Sequence, residues 1–290
     1  MHTREPIVAG QFYPAGREAC LAEVQACIAA GTLPEQLPAT IVAGVVPHAG
    51  WTFSGALAAL VFSAVRRRRQ RVETVVICGA AHGYLGAQPA IDDSDAWETP
   101  LGTIALDGTL RERLAQQGAV TIDASAHRRE HSIEVQVPLI QHLFPQARLL
   151  PVIVPPLATA VAFGEALAEA AAQTQTDAVY VGSSDLTHYG PRYAFTPQGA
   201  GAEGTHWAHE VNDRAFIDLA LDVEPERLLA QAVENGSACG PGAVAATLAV
   251  VRSLGAKRGT LLAQTNSNEI MRRKMGTRSR DSVGYAALVF

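Results

Sequence analysis

Four continuous apolar runs constrain the fold of this chain more than any other feature. They lie at 41–47, 74–81, 148–154 and 178–184 and are rich in β-branched residues. Strands that are covered on both faces read as continuous apolar runs, whereas half-exposed strands alternate apolar and polar residues. Helical patterns separate these runs, as in the alanine-rich segment 158–173. The alternation predicts an α/β fold with a central, mostly parallel mixed sheet flanked by helices.

The remaining segments extend this architecture without indicating a second domain. The further predicted elements are helices at 17–30, from about 54, at 131–144, 206–221, 224–234 and 241–254, a hairpin at 96–107, and strands at 259–265 and 283–290. Pro138 places a boundary or kink within the helix predicted at 131–144. No Pro/Ser-rich linker and no repeat of fixed period interrupts the chain. We therefore expect residues 1–290 to form one domain.

Composition and charge limit which binding partners and which cellular compartment the sequence predicts. The formal net charge is −5, so the chain lacks the general basic field that grips nucleic acid. Four cysteines without a CxxC pair, and an N-terminus without an apolar signal core, predict a cytoplasmic protein with reduced thiols. No stretch approaches the roughly 20 apolar residues that a membrane span needs. We expect a soluble protein that binds neither nucleic acid nor membrane.

Polar side chains follow three of the predicted strands at the point where each strand ends. His48 follows the first run, His82 the second, and Asp185 and His188 the fourth. In open α/β sheets, ligands bind at the carboxyl ends of the strands, where side chains from several strands meet. A single histidine of this kind is more often structural, but three strand ends that each carry an imidazole predict a shared site.

Imidazole at this edge of the sheet indicates a metal site. Neutral histidine binds zinc, copper and iron, and two histidines with a third donor and an open position form a catalytic site. Cys239 is the best third donor, because it precedes a helix predicted from Pro241 whose dipole would lower the pKa of the thiol. The alternative is a buried cysteine beside a turn. The predicted metal ligands are His48, His82 and Cys239.

Further acids and histidines have candidate roles around this site. We predict that His188 is a general acid/base beside the metal, while Asp185 orients an imidazole or caps the following segment. The segment "REHSIE" contains Glu130, His131 and Glu134, with the last two expected on one helical face. These three residues either bind or support the metal, or else form an ion pair at a helix start.

Ordered motifs along the chain resemble those of the Memo family. They are "AGQFYP", "PHAGWTFSG", "GAAHG", "EHSIEVQVP", "SSDLTHYG", "ACGPG" and "SVGYAA". The resemblance implies a fold related to the class III extradiol ring-cleavage dioxygenases. It also implies that iron(II) or copper is held by His48, His82 and Cys239, and that Asp185 and His188 line the same pocket. Zinc is possible because two histidines and a cysteine also suit that metal. A cysteine where those dioxygenases have a carboxylate favours softer metals.

The motifs depart from the commonest family pattern in the predicted outer pocket. Ala80, Ala81 and Gly83 replace the usual Pro-Ser and second His, Trp51 replaces a Tyr, and "THYG", which contains Tyr189, replaces "CHWG". The ligand positions are kept. We therefore expect a pocket that includes Trp51 and Tyr189 and accepts a different ligand.

Three functions are compatible with these residues. The first is a metal-dependent, dioxygenase-like oxidoreductase acting on a small-molecule substrate. The second is a non-catalytic adaptor that binds a peptide or phosphopeptide in the same cleft, aided by basic residues at 268–280, a segment otherwise predicted to be a solvated loop. The third is a zinc-dependent hydrolase. The resemblance further implies association with AMMECR1-like and radical SAM proteins.

Overall fold

Apolar strands occupy the centre of the structure, a computed structural model that describes residues 2–290. The strands are β1 (Thr3–Arg4), β2 (Ala43–Val46), β3 (Thr74–Gly79), β4 (Ala90–Ile91), β5 (Ala96–Thr99), β6 (Gly102–Ala105), β7 (Thr121–Ile122), β8 (Arg148–Ile153), β9 (Ala178–Ser183), β10 (His188–Tyr189), β11 (Thr260–Asn266) and β12 (Ser282–Val289). The four runs predicted to be buried strands are β2, β3, β8 and β9. All residues of β2, β3 and β9 are buried, which explains their continuous apolar character.

Helices connect these strands and cover both faces of the sheet. They are α1 (Arg17–Ala30), α2 (Trp51–Arg68), α3 (Gly108–Gln116), α4 (Ala124–His127), α5 (Val137–Leu143), α6 (Thr159–Thr174), α7 (Ala202–Trp207), α8 (Asp213–Leu221), α9 (Pro225–Asn235), α10 (Pro241–Ser253) and α11 (Ser267–Met275). A π-helical turn at Ala208–Asn212 joins α7 to α8. Within residues 2–290, no helix combines the length and the apolar character that a membrane crossing requires.

The sheet order places the ends of three predicted strands side by side. The main sheet runs β10-β12-β2-β9-β3-β8-β4-β7, with β11 paired to β12, and β1, β5 and β6 form a separate small sheet. Strands β2, β9, β3 and β8 are mutually parallel, while β12 and β4 flank them in antiparallel pairing. The predicted α/β fold with a mixed sheet and flanking helices is confirmed.

Each face of the sheet has its own apolar core. Helices α1, α2 and α5 contribute to one core, in which Phe62 and Leu139 are fully buried. The other core contains α3, α6, α8, α9 and α10, with Phe163 and Phe216 at its centre. These two layers fix the sheet from both sides, so the loops at its carboxyl edge project from a rigid base.

Two segments differ from their predicted conformation. The helix predicted from residue 131 was wrong over its first residues, because a 3₁₀ turn at Glu134–Gln136 leads into α5 and leaves His131 in the preceding turn. Pro138 lies in the first turn of α5, where a missing N–H costs little. The basic segment predicted to be a loop includes α11, which begins where the Asn266 side chain accepts a hydrogen bond from the N–H of Glu269 (2.9 Å).

The contact between α6 and α10 depends on a glycine. A Cβ atom at Gly164 would overlap the backbone carbonyl oxygen of Ala246 and lie 2.7 Å from Ala249 Cβ. We expect Gly164→Ala to reduce the free energy of unfolding by about 2 kcal/mol, because overpacking forces the helices apart. Gly108→Ala in α3 is the control, since a Cβ atom at that position would meet only the Arg111 guanidinium, at 4.0 Å. Thermal unfolding of both variants checks this; equal melting temperatures would contradict it.

Candidate metal centre

Three histidines converge at the carboxyl edge of the parallel strands. His48 follows β2, His82 follows β3, and His131 comes from the turn before α5. One ring nitrogen of each lies within 4.8 Å of the others. His48 is buried, His131 is partly buried, and the His82 side chain is 35% exposed. The arrangement opens to solvent on the His82 side.

The environment of His48 determines which of its ring nitrogens is free. Its Nδ1 lies 3.1 Å from Ser183 Oγ, and the Ser183 hydroxyl donates to the carbonyl of Ser132 (2.7 Å). The Ser183 oxygen therefore accepts from His48 Nδ1–H, which leaves Nε2 as a bare nitrogen. Burial and the neighbouring imidazoles lower the pKa of His48 well below its usual value. The ring is neutral, and this is the form that binds metal ions.

Glu130 holds His82 through its ring and its backbone. The carboxylate lies 3.0 and 3.1 Å from His82 Nδ1 and accepts the backbone N–H groups of His82, His131 and Ser132. Burial acts to raise the pKa of Glu130, but the hydrogen bonds from His82 and Ser132 outweigh it and lower the pKa to about 2. Burial also disfavours charged His82, yet Glu130 raises its pKa. A carboxylate on Nδ1 directs His82 Nε2 away from Glu130.

Ring contacts fix the orientation of His131, the third histidine of the cluster. His131 stacks on His82 with 5.0 Å between ring centroids and 5° between planes, and it meets His48 edge-on at 5.5 Å. Phe12 packs against its other side at 4.7 Å. Burial lowers the pKa of His131, so this ring is also favoured in the neutral form. Two of the three rings therefore favour the metal-binding protonation state, while Glu130 supports the third.

Cys239 lies beside this cluster and contacts one of its members. Its Sγ lies 3.1 Å from His48 Nε2 and 3.6 Å from the carbonyl oxygen of Asp185. The residue comes two positions before the start of α10, as the sequence indicated. The predicted lowering of its pKa was wrong, because burial and the charge of Asp185 raise the pKa of the thiol. The structure thus adds His131 to the predicted histidine pair within 4.8 Å, whereas Cys239, the predicted third ligand, contacts His48 but is not in that group.

Asp185 follows β9 and is buried beneath the cluster. Its Oδ1 accepts the backbone N–H of His48 (2.7 Å), so it fixes the loop that presents that imidazole. Burial raises the pKa of Asp185 to about 7, against the opposing effect of the N–H groups of His48 and Ala49. Asp185 supports the backbone of a candidate ligand, and its carboxyl group also lines the adjoining cavity.

His188 has a free ring nitrogen near the same cavity. Its Nδ1 lies 3.0 Å from the carbonyl of Leu186 and must donate to it, so Nε2 is the bare nitrogen of the neutral ring. Burial lowers the pKa of His188. Tyr193 packs edge-on against the ring at 5.0 Å. Strand β10, paired with β12, thus holds an imidazole that can accept a proton.

A cavity of about 510 Å³ joins these groups. His48, His82, His131, Asp185 and His188 all line it. Apolar and aromatic side chains form much of the remaining wall, namely Phe12, Phe53, Tyr193, Met271, Val283 and Tyr285. A cavity of this size and composition suits a small ligand with an apolar body and a few polar groups.

Three residues predicted near the pocket lie elsewhere. Glu134 turns from the cluster and binds the N-terminal segment, because the 3₁₀ turn separates it from His131. Trp51 packs on Tyr13 and donates its indole N–H to the carbonyl of Val135, and it does not line the cavity. Tyr189 donates to the carbonyl of Gly199, since successive residues of a strand point to opposite faces and His188 faces the cavity. These placements correct the predicted pocket.

Several cavity residues were not identified from the sequence. Ser183, which selects the His48 tautomer, is visible only as one of the small residues that end β9. Phe12, Arg192 and Tyr193 line the cavity from loops. Loop residues reach a site through tertiary contacts, which leave no periodic signal in a single sequence. The sequence signals near these residues are the "YP" motif that follows Phe12 and the "YG" motif that precedes Arg192 and Tyr193.

Comparison with known proteins agrees with the motif resemblance. Residues 4–289 match the sequence profile of the Memo family, described as Memo-like protein. MEMO1 family proteins of Methanopyrus kandleri and Thermococcus onnurineus are 37% and 36% identical to this chain. Both alignments cover 99% of this chain, and they cover 98% and 99% of those proteins. A MEMO1 family protein of Thermococcus kodakarensis is also 36% identical, over 99% of both chains. With a match along nearly its whole length, the chain belongs to the Memo family.

Proposed function

We propose that this protein is a metal-dependent oxidoreductase that holds iron(II) or copper at the histidine cluster and acts on a small molecule in the adjoining cavity. The observation that carries the proposal is the set of three imidazole nitrogens within 4.8 Å of one another, on the wall of a cavity that His188 also lines. His48 and His82 are the two principal ligands. Cys239 or His131 supplies the third.

The donor set fits such a metal. Hydrogen bonds to Nδ1 of both His48 and His82 leave Nε2 as the ligand atom of each, the arrangement that orients metal-bound histidines. His48 Nε2 and Cys239 Sγ lie 3.1 Å apart, so both atoms could bind one ion. Imidazole with thiolate suits copper and iron, and it also suits zinc.

The residues around the cluster have distinct tasks in this proposal. Bound iron or copper supplies Lewis acidity and electron exchange with oxygen. His188 accepts a proton from a substrate hydroxyl at Nε2, while its Nδ1–H stays on the carbonyl of Leu186. Asp185 holds the His48 loop in place. Phe12, Phe53 and the other apolar wall residues exclude water and position the body of the substrate.

Elemental analysis of anaerobically purified protein tests the proposal. We expect about one equivalent of iron or copper in the wild type and a large loss of metal in His48→Ala and His82→Ala. Cys239→Ser and His131→Ala identify the third ligand, because only the true ligand should reduce the metal content strongly. His142→Ala on the exposed side of α5 is the matched control. A wild type that neither contains nor takes up a transition metal would overturn the proposal.

Oxygen uptake with catechols then separates the possible functions. Uptake by the metal-loaded wild type, reduced by about 10²-fold or more in His188→Gln, supports the oxidoreductase. Bound zinc without oxygen uptake would favour the zinc hydrolase instead. Peptide binding that survives loss of His82 and of metal would favour the adaptor. Association with AMMECR1-like and radical SAM proteins, and a cytoplasmic location, remain predictions from the sequence.

A further inference from the structure

A second cavity lies next to the metal centre and differs from it in charge. It has a volume of about 380 Å³ and is formed by α7, the π-helical turn, α11 and the loop that follows α11. Its wall contains three arginines and two histidines, which are Arg272, Arg278, Arg280, His206 and His209. This concentration of basic groups occurs in a chain whose net charge is −5.

The three arginines are available to a ligand. Within residues 2–290, their guanidinium groups have neither a hydrogen bond nor an ion pair with a protein group. Arg252 and Lys274, by contrast, are engaged: Arg252 binds Glu226 and Glu165, and Lys274 on α11 donates to the carbonyl of Thr52. Unpaired arginines on the wall of one concave surface indicate a binding role more than a structural one.

Acidic groups on this wall do not neutralise the arginines directly. Glu269 accepts a hydrogen bond from the Thr265 hydroxyl (2.5 Å) at the start of α11. Glu210 lies 3.8 Å from a ring nitrogen of His209. Neither carboxylate pairs with an arginine of the cavity. Three arginines against two glutamates leave the wall with a net positive charge, with the two histidines left out of the count.

The two cavities share a wall. Ser279 lines both of them, and its backbone N–H donates to Asn268 Oδ1 (2.8 Å), which ties the loop after α11 to the first turn of that helix. Successive residues of α11 face different cavities. Met271 lines the cavity at the histidine cluster, and Arg272 lines the cavity that contains the three arginines. Ser279 is therefore the boundary that an extended ligand has to cross in order to contact both cavities.

We propose that the basic cavity is an anion subsite, which binds a carboxylate or phosphate group of a substrate whose reacting end lies at the metal centre. Arginine forks match the paired oxygens of both groups, so several arginines give stronger and more specific binding than dispersed lysines. The inference rests on the proposed function, because it assigns the substrate class of that site: a small molecule with an apolar body and a terminal oxyanion.

Titration with simple anions tests the subsite. The probes are inorganic phosphate and glutarate, added separately at low ionic strength and followed by calorimetry or by amide chemical shifts. We expect Kd for at least one probe to rise tenfold or more in the double variant Arg272→Gln/Arg280→Gln. Arg273→Gln is the matched control, because Arg273 is exposed on the same helix but does not line the cavity. Binding of phosphate alone or of glutarate alone supports the subsite and identifies the anion.

Two outcomes would overturn the subsite. One is that the wild type binds neither probe, and the other is that Arg273→Gln weakens binding as much as the double variant does. Metal content of the same samples keeps this test separate from that of the proposed function. Full metal content without anion binding would overturn only the subsite. Anion binding by a protein that takes up no metal would overturn the proposed function and with it the assignment to a substrate of the metal centre.

A bipartite probe tests the link between the cavities. Catechol and 3-(3,4-dihydroxyphenyl)propionate share a ring, but only the second has a carboxylate on a short chain. We expect the metal-loaded wild type to bind the carboxylate-bearing probe at least tenfold more tightly, and the double arginine variant to lose this difference. Equal affinities of the wild type for both probes would show that the anion site does not serve the metal centre.

Discussion

Glu134→Ala is expected to reduce the free energy of unfolding by about 3–5 kcal/mol, although Glu134 lies outside the cavity. Its carboxylate is fully buried and accepts hydrogen bonds from Arg4 (2.9 Å), from the backbone N–H groups of Ile7 and Val8, and from the hydroxyl of Tyr13 (3.0 Å). Alanine would leave the mostly buried Arg4 without its charged partner and would orphan the other donors. Loss of one member of a buried ion pair is costly for this reason.

Urea unfolding measures this effect, with Glu226→Ala as the control. Glu226 also pairs with an arginine, at 2.8 Å from Arg252, but both side chains are exposed. Exposed pairs contribute about 0–1 kcal/mol, so the control should unfold close to the wild type. A loss below 1 kcal/mol in Glu134→Ala, equal to that of the control, would contradict the assigned role.

Anchoring of the N-terminal segment by Glu134 also affects the candidate site. The segment held by this carboxylate continues to Phe12, which lines the cavity at the histidine cluster and contacts the ring of His131. Glu134 makes no hydrogen bond to the histidines; it holds the segment that leads to Phe12, and its charge acts to raise the pKa of His131 against the larger effect of burial. A residue expected beside the metal instead orders one wall of the cavity.

The sequence predicted the fold well because burial leaves a local pattern. Strands β2, β3, β8 and β9 read as continuous apolar runs since helices cover both of their faces. The pairing of the antiparallel strands at the edge of the sheet was harder to predict. Strand β12 pairs with β2, β10 and β11, and this order depends on contacts between residues far apart in the chain. Such pairings carry no signal in local periodicity.

The sequence predicted the part of the site that is formed by residues directly following the parallel strands. His48, His82 and Asp185 meet because β2, β9 and β3 are parallel neighbours, so residues that follow them emerge at one edge. The prediction from the spacing of His131 and Glu134 was wrong for Glu134 only, because His131 lies in the histidine cluster, as one of its two predicted alternatives had it. Their spacing indicated one helical face, but residue 131 precedes the helix, so the two side chains point to different neighbours. Helix boundaries are the least predictable feature of a sequence, and here one boundary separates their roles.

Glu130→Gln is expected to weaken metal binding by about 10–100-fold, the usual effect of removing a carboxylate that supports a ligand histidine. Both carboxylate oxygens of Glu130 are occupied, by the His82 ring and by backbone N–H groups of His82, His131 and Ser132. A glutamine keeps the volume but presents an NH₂ group that cannot accept, so one of these donors loses its partner. The charge that favours metal-bound His82 is lost as well.

Competition with a chelating indicator measures this affinity in Glu130→Gln and in the control Glu112→Gln, which lies on the exposed side of α3. Thermal unfolding of the metal-free proteins shows whether the variant still folds, so that weak binding is not mistaken for unfolding. Unchanged affinity in a folded Glu130→Gln protein would mean that His82 does not bind the ion through Nε2. The metal would then have to rely on His48, His131 and Cys239, and the role of Glu130 would reduce to holding the turn from 130 to 132.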